Sequence, residues 1–184
     1  ATYLLAGLVV CGGCGRPMKY SFDTSRLVVM GYSAGGHLAL TTGMLDSSAG
    51  FDDECPGTED PKVAAIINFF GVTDVADLLE GGNRRDYAVR WFAGSENRLA
   101  LARRVSPLTY VRTGVPPVLT IHGDADPIVP YQHAERLHQA LERHQVYQQL
   151  LTISGGGHGR FARGETLRVR RAVEEFLKKR RVLE

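Results

Sequence analysis

Cysteine is scarce in this chain of 184 residues: Cys11, Cys14 and Cys55 are all there is. An odd number this small excludes a disulfide framework, so stability must come from packing. Long hydrophobic runs are missing too. The longest, such as residues 4–10 and 63–67, fall far short of the roughly 18 apolar residues a membrane-crossing helix needs. No sign of charge dominates, since 22 Lys+Arg stand against 20 Asp+Glu for a net charge of +2, which speaks against a dedicated nucleic-acid or membrane-surface protein. Internal repeats and low-complexity tracts are absent. The apolar stretch near the start lacks the basic n-region and small-residue cleavage site of a signal peptide. The chain opens on Ala1 rather than Met, so the compartment stays open, with a cytoplasmic location favoured. What is present, 43% hydrophobic and 23% charged residues, is the balance of one globular domain.

Short β-branched runs at residues 27–30, 63–70, 118–121 and 149–153 alternate with helical stretches. Such alternation predicts an α/β domain around a mostly parallel, buried sheet. Ala134, Leu137, His138 and Leu141 share one face of a predicted helix, as do Val169, Val173, Phe176 and Leu177 near the end, so both helices are expected half buried. Basic residues between Arg168 and Arg181 interleave with Glu174 and Glu175 and leave that apolar stripe intact. They read as a solvated face. Residues 46–61 and 80–104 are polar, punctuated segments, expected to be loops or short helices over a sheet edge.

The most informative residues are Gly31-Tyr32-Ser33-Ala34-Gly35-Gly36, between a strand-like run and a helix-like one. This is Gly-x-Ser-x-Gly in the context it needs, a strand-to-helix turn so tight that a side chain at either glycine is expected to clash, with the serine oxygen thrust outward. The helix beginning there aims free N–H groups and its positive end at an oxyanion. A nucleophile so placed calls for an acid and then a histidine on loops after later strands. His122-Gly123-Asp124-Ala125-Asp126-Pro127 follows the third run, and Ser154-Gly155-Gly156-Gly157-His158-Gly159 follows the fourth. Both lie where open α/β sheets place their ligands.

From about Thr24 onward, roughly 160 residues resemble an α/β-hydrolase esterase of the acetyl esterase and carboxylesterase type, related to the prolyl-oligopeptidase-like hydrolases. Residues 23–39 look like that family's strand and elbow, and Ser106-Pro107 followed by Pro116-Pro117-Val118-Leu119 looks like its lead-in to the acid strand. The resemblance implies Ser33 as nucleophile, His158 as base and Asp126 as acid. Asp126 is preferred to Asp124 because the family's pattern puts the acid just before the x-x-Val-Pro step. It further implies a small-molecule ester substrate, an acyl-enzyme and no cofactor. Ala34, directly after the nucleophile, supplies one N–H to the oxyanion.

Esterases of this type place several strands and a His-Gly-Gly-Gly-like oxyanion loop ahead of the elbow, whereas 32 residues precede Ser33 here. The expectation is an α/β-hydrolase fold truncated or rearranged at its N-terminus, with an N-terminal segment (1–22) and a catalytic domain (23–184). A homo-oligomer completing the sheet is one way to close the open edge. Tyr3-Leu4-Leu5-Ala6-Gly7-Leu8-Val9-Val10-Cys11-Gly12-Gly13-Cys14-Gly15-Arg16-Pro17-Met18 resembles the zinc-ribbon segment of large serine recombinases. Structural zinc takes four ligands, and with Cys55 the sole further cysteine a four-cysteine site cannot form within the chain. The same residues also read as a strand at 4–10 leading to Cys11-Gly12-Gly13 in place of His-Gly-Gly, with Gly12 or Gly13 as the second oxyanion donor.

His122, Asp124, Asp126 and His158 carry ligand chemistry for zinc or manganese, but that reading leaves the Gly-x-Ser-x-Gly turn unexplained, and no metal is assigned. His133, His138 and His144, at spacings of five and six, do not converge on one ion and are expected at the surface. His37 is expected to pack below the turn. Tyr32, Trp91 and Phe92 are candidates for acyl-pocket walls, with core or loop-anchoring roles as the competing reading.

Overall fold

A computed structural model describes residues 27–45, 47–51 and 63–183. Among these, four strands form one sheet in sequential order: β1 (Val28–Tyr32), β2 (Ala65–Phe69), β3 (Val118–Gly123) and β4 (Gln148–Ile153). All three pairings are parallel, in registers that place Val28 beside Ala65, Ile66 beside Val118 and Val118 beside Gln148. The interior strands β2 and β3 are buried along their whole length, which is why they read as continuous apolar runs rather than alternating ones.

Helices cover both faces, as the fold class predicts. On one side, α1 (Ala34–Met44) and α4 (Gln132–Arg143) pack Ala39, Leu40, Met44, Leu137 and Leu141 onto Ile66 and Val118. On the other, α5 (Arg163–Lys179) sets Val169 and Phe176 against Ala65, Ile67, Leu119 and Ile121. The period of two along β2 and β3 separates these clusters, since neighbouring residues point to opposite faces. α1 lies so close to the sheet that a Cβ at Gly43 would come within 2.5 Å of the Ile66 side chain.

Between β2 and β3, residues 80–104 form two short helices, α2 (Asp86–Trp91) and α3 (Arg98–Arg104), with 3-10 turns around them. They do not lie over a sheet edge as expected. Ala88 and Ala102 join Val72, Val75, Leu78 and Val129 in a third cluster, built on the loops that leave the C-terminal ends of β2 and β3. Phe92 belongs to that cluster, whereas Trp91 is 56% exposed and meets Tyr87 edge-on. Of residues 46–61, 47–51 are described and include a 3-10 turn at Ser47–Ala49.

Two histidines expected at the surface are in the core. His133 is fully buried: its Nδ1 accepts the backbone N–H groups of Thr73 and Asp74 at 3.2 and 3.3 Å, and its Nε2 lies 3.3 Å from Asp77 Oδ2. Burial chiefly, with the nearby Arg136 charge, lowers its pKa to about 4 against the opposing pull of Asp77. His138 is buried beside Gln148, and burial lowers it likewise to about 4 although the Gln148 hydrogen bond works the other way. The tertiary packing overrode a spacing argument, because α4 is sandwiched between the sheet and the loop after β2. His144, one residue past α4, is exposed as expected.

Both imidazoles are neutral when folded and gain a proton more readily when the chain unfolds. Stability is therefore fully present above about pH 6.5 and falls as pH drops from 6.5 toward 4. The melting temperature should decline across that window, and His138→Leu should remove part of the decline. Thermal unfolding followed by circular dichroism at half-unit pH steps checks this; equal slopes for parent and variant would refute it.

Candidate active site

Ser33 sits at the turn from β1 into α1, with φ 53° and ψ −116°, a strained backbone for a residue with a side chain. Its N–H donates to the Phe69 carbonyl at 2.9 Å, and its own carbonyl accepts the His37 N–H at 3.0 Å, so the elbow is tied to the end of β2 and to the first turn of α1. A Cβ at Gly31 would overlap the Gly35 carbonyl, the close approach expected of that glycine. At Gly35 itself nothing stands within 4 Å of a Cβ, which corrects the expectation of a clash there. Gly36 is the second constrained position, since its Cβ would lie 2.5 Å from Asn68 Oδ1 and 2.9 Å from the Phe69 carbonyl. The reason is the packing of α1 onto β2, which a local motif cannot reveal. His37 does pack beneath the turn, its Nδ1 donating to the Val72 carbonyl at 3.0 Å.

The loops after β3 and β4 bring the other two residues to this serine. His158 Nε2 lies 2.8 Å from Ser33 Oγ, and His158 Nδ1 lies 2.7 Å from Asp126 Oδ2. Since β1 and β4 are separated by two strands, roughly 14 Å at about 4.8 Å per strand, the loop carrying His158 must fold back over the strand ends. Phe70 fills the space beneath it. At the end of β2, with φ 41°, its ring stands edge-on to the imidazole with centroids 4.6 Å apart. Nothing in the sequence singled out Phe70; a non-glycine residue with positive φ is visible only in three dimensions. The loops after β3 and β4 also close on each other, with the Ala125 N–H donating to the Gly156 carbonyl at 3.1 Å.

The Asp126 side chain is fully buried and each of its oxygens is engaged. Oδ1 accepts the backbone N–H groups of Ile128 and Val129 at 2.8 and 3.0 Å, while Oδ2 faces His158 and, at 3.3 Å, His122 Nε2. Burial by itself would raise its pKa, but the hydrogen bonds from His122, His158, Ile128 and Val129 together outweigh burial and hold it at about 2. Asp124 is differently placed: it is exposed, and its Oδ1 accepts the Gly155 N–H at 2.6 Å. Of the four residues with metal-ligand chemistry, His122 and His158 thus converge on Asp126, and Asp124 ties one loop to the next.

Tyr32, in the elbow itself, is 55% exposed and stacks on Phe69 with centroids 4.2 Å apart. Ala34 is the first residue of α1, so its N–H is among the donors that a helix leaves unpaired at its N-terminus. Cys11, Gly12, Gly13 and Cys14, which carried both the zinc-ribbon and the oxyanion-loop readings, lie outside the described residues.

A serine on a strand-to-helix elbow, with an aspartate and a histidine on loops beyond later parallel strands, defines the α/β-hydrolase fold. Residues 15–141 match the BD-FAE family model, more than half of the chain, and the protein belongs to that family. Esterase LipC of Mycobacterium tuberculosis is 32% identical over 149 residues, which cover 77% of this chain and 36% of LipC. Esterase LipQ of the same organism is 26% identical, covering 86% of this chain and 39% of LipQ. The propionate-bound structure of a thermophilic esterase, Est2 of Thermogutta terrifontis, is similar with a TM-score of 0.64 at 30% identity, covering 85% of this chain and 57% of that one. This chain therefore spans less than two thirds of the length of each of these relatives.

Proposed function

We propose that this protein is a serine carboxylesterase that hydrolyses short-chain acyl esters. The observation that carries the reading is the unbroken hydrogen-bonded run from Ser33 Oγ through His158 to the buried Asp126 carboxylate. Ser33 Oγ attacks the ester carbonyl carbon while its proton passes to His158 Nε2, and Asp126 holds the Nδ1–H tautomer and stabilises the imidazolium. The tetrahedral intermediate collapses, the C–O bond to the alcohol breaks, and His158 returns the proton to the departing oxygen. Water then attacks the acyl-Ser33 ester by the same route, releasing the carboxylic acid.

The Ala34 N–H serves as one oxyanion donor, and removal of one such donor typically costs roughly a hundred- to a thousandfold in rate. The second donor is assigned to Gly12 or Gly13, or to a partner chain set against β1, which pairs only with β2 among the described residues. A preference for short acyl groups is favoured by the likeness to a thermophilic esterase whose structures hold propionate and butyrate.

A fluorophosphonate probe and a series of p-nitrophenyl esters test this. One equivalent of label on Ser33, together with faster turnover of acetate and butyrate esters than of long-chain ones, is the expected result. A folded protein that neither takes up label nor exceeds the background rate would instead be a non-catalytic hydrolase remnant.

A further inference from the structure

A second histidine touches the acid, and the mechanism above does not use it. His122, near the end of β3, is fully buried. Its Nε2 lies 3.1 Å from the Val129 carbonyl and 3.3 Å from Asp126 Oδ2. Both neighbours are acceptors, so the proton of a neutral ring must sit on Nε2. Nδ1 has no partner and is buried, which leaves it as the bare lone-pair nitrogen. The ring is held by Tyr131, edge-on with centroids 5.7 Å apart, and Tyr131 is fixed in turn by a hydrogen bond to Thr152 on β4.

We propose that His122 is a positioning residue for the acid: its Nε2–H, shared between the Val129 carbonyl and Asp126 Oδ2, fixes the carboxylate's orientation and divides its charge between two imidazoles. This rests on the esterase reading, in which Asp126 serves His158. Two backbone N–H groups hold Oδ1, and because the carboxylate is planar, a hydrogen bond to Oδ2 opposes the same rotation about Cβ–Cγ from its other end. Two imidazole N–H groups meet there, one catalytic and one structural. Hydrogen-bond partners one layer out commonly govern the orientation of reacting groups in this way. The other titratable groups facing this cluster are His133, which is neutral when folded, and Tyr87, which feels the charge of Asp126.

Without His122, Asp126 directs its charge to His158 alone, so the imidazolium is held more tightly and His158 gives up its proton at higher pH. His122→Phe keeps a ring and removes the donor; His122→Gln keeps an N–H near the position of Nε2. For His122→Phe the expected result is a fall in kcat of about tenfold or more with KM changed less than about twofold, and a low-pH limb of the kcat/KM profile moved upward by about half a unit or more. His122→Gln should restore most of kcat and return the limb to its parental position.

Unchanged kcat and limb in folded His122→Phe would overturn the proposal. So would equal losses in both variants with the limb unmoved, which is what a merely structural role predicts. Nitrogen NMR of the His122 ring in the unaltered protein supplies a reading that needs no variant to fold: a proton on Nδ1 instead of Nε2 overturns the proposal, and one on Nε2 supports it. If the parent shows no Ser33-dependent turnover, the esterase reading fails by itself. NMR titration of His158 in parent and His122→Phe then decides the inference, an upward move supporting it and no move overturning it.

Discussion

Ser33→Ala should leave a folded protein whose kcat/KM for p-nitrophenyl acetate falls by a factor on the order of 10⁴ to 10⁶, with fluorophosphonate labelling abolished. The size of the loss follows from what the hydroxyl does. In the proposed mechanism it is the atom that forms the acyl bond, and its loss leaves His158, poised 2.8 Å away, without the hydroxyl it would deprotonate. Alanine is tolerated structurally because the elbow is held by backbone hydrogen bonds, Ser33 N–H to Phe69 and His37 N–H to Ser33, rather than by the side chain. Alanine keeps the Cβ, so the backbone at φ 53° is under the same strain in both proteins. Initial rates beside a melting curve for each protein make the comparison, and a variant retaining more than a few per cent of parental activity would remove Ser33 from the mechanism.

The second large effect separates two aspartates two residues apart. Asp126→Asn should lower kcat by about 10⁴-fold, whereas Asp124→Asn should change it only severalfold. An amide at 126 that keeps its carbonyl oxygen on the Ile128 and Val129 N–H groups presents its NH₂ to His158. The imidazole must then accept at Nδ1 and carry its proton on Nε2, the tautomer that cannot take the serine proton. The negative charge that stabilises the imidazolium is lost as well. At 124 an amide oxygen can still accept the Gly155 N–H, so the loop survives. The charge of Asp126 also contributes stability: its pKa is depressed from 3.8 to about 2, so that contribution is present above about pH 4 and lost as pH falls toward 2. Acid unfolding of Asp126→Asn should lack this component. Comparable losses of kcat at positions 124 and 126 would overturn the assignment of the acid.

Much of the fold is legible in the chain because the features that encode it are local. Runs at 27–30, 63–70, 118–121 and 149–153 become four parallel strands whose bounds move by no more than a few residues. The apolar faces of α4 and α5 follow from their period. The order of elbow serine, acid and histidine is legible for the same reason, since each sits in the short loop after a strand and the fold brings strand ends together. The failures share a cause as well. His138 lies on the apolar face that the period marks and is buried with it, whereas His133 is buried by the loop after β2, and a metal-ligand spacing argument carries neither fact. Residues 80–104 read as a covering for a sheet edge, but Ala88 and Ala102 pack with Val72, Val75 and Val129, where the loops after β2 and β3 leave apolar side chains to cover.

The sequence by itself determined the α/β class, the elbow at Ser33 and the two loops from which an acid and a histidine could come, because turn chemistry and strand periodicity act over a few residues. The family pattern favours Asp126 over Asp124, and the tertiary structure supplies the physical reason: Asp126 faces His158 while Asp124 turns outward to the Gly155 N–H. Tertiary structure alone placed Phe70 beneath His158 and set His122 against Asp126, contacts between side chains brought together from different strands and loops. Those contacts arise from close packing across the ends of a twisted sheet, and no pattern along the chain carries them.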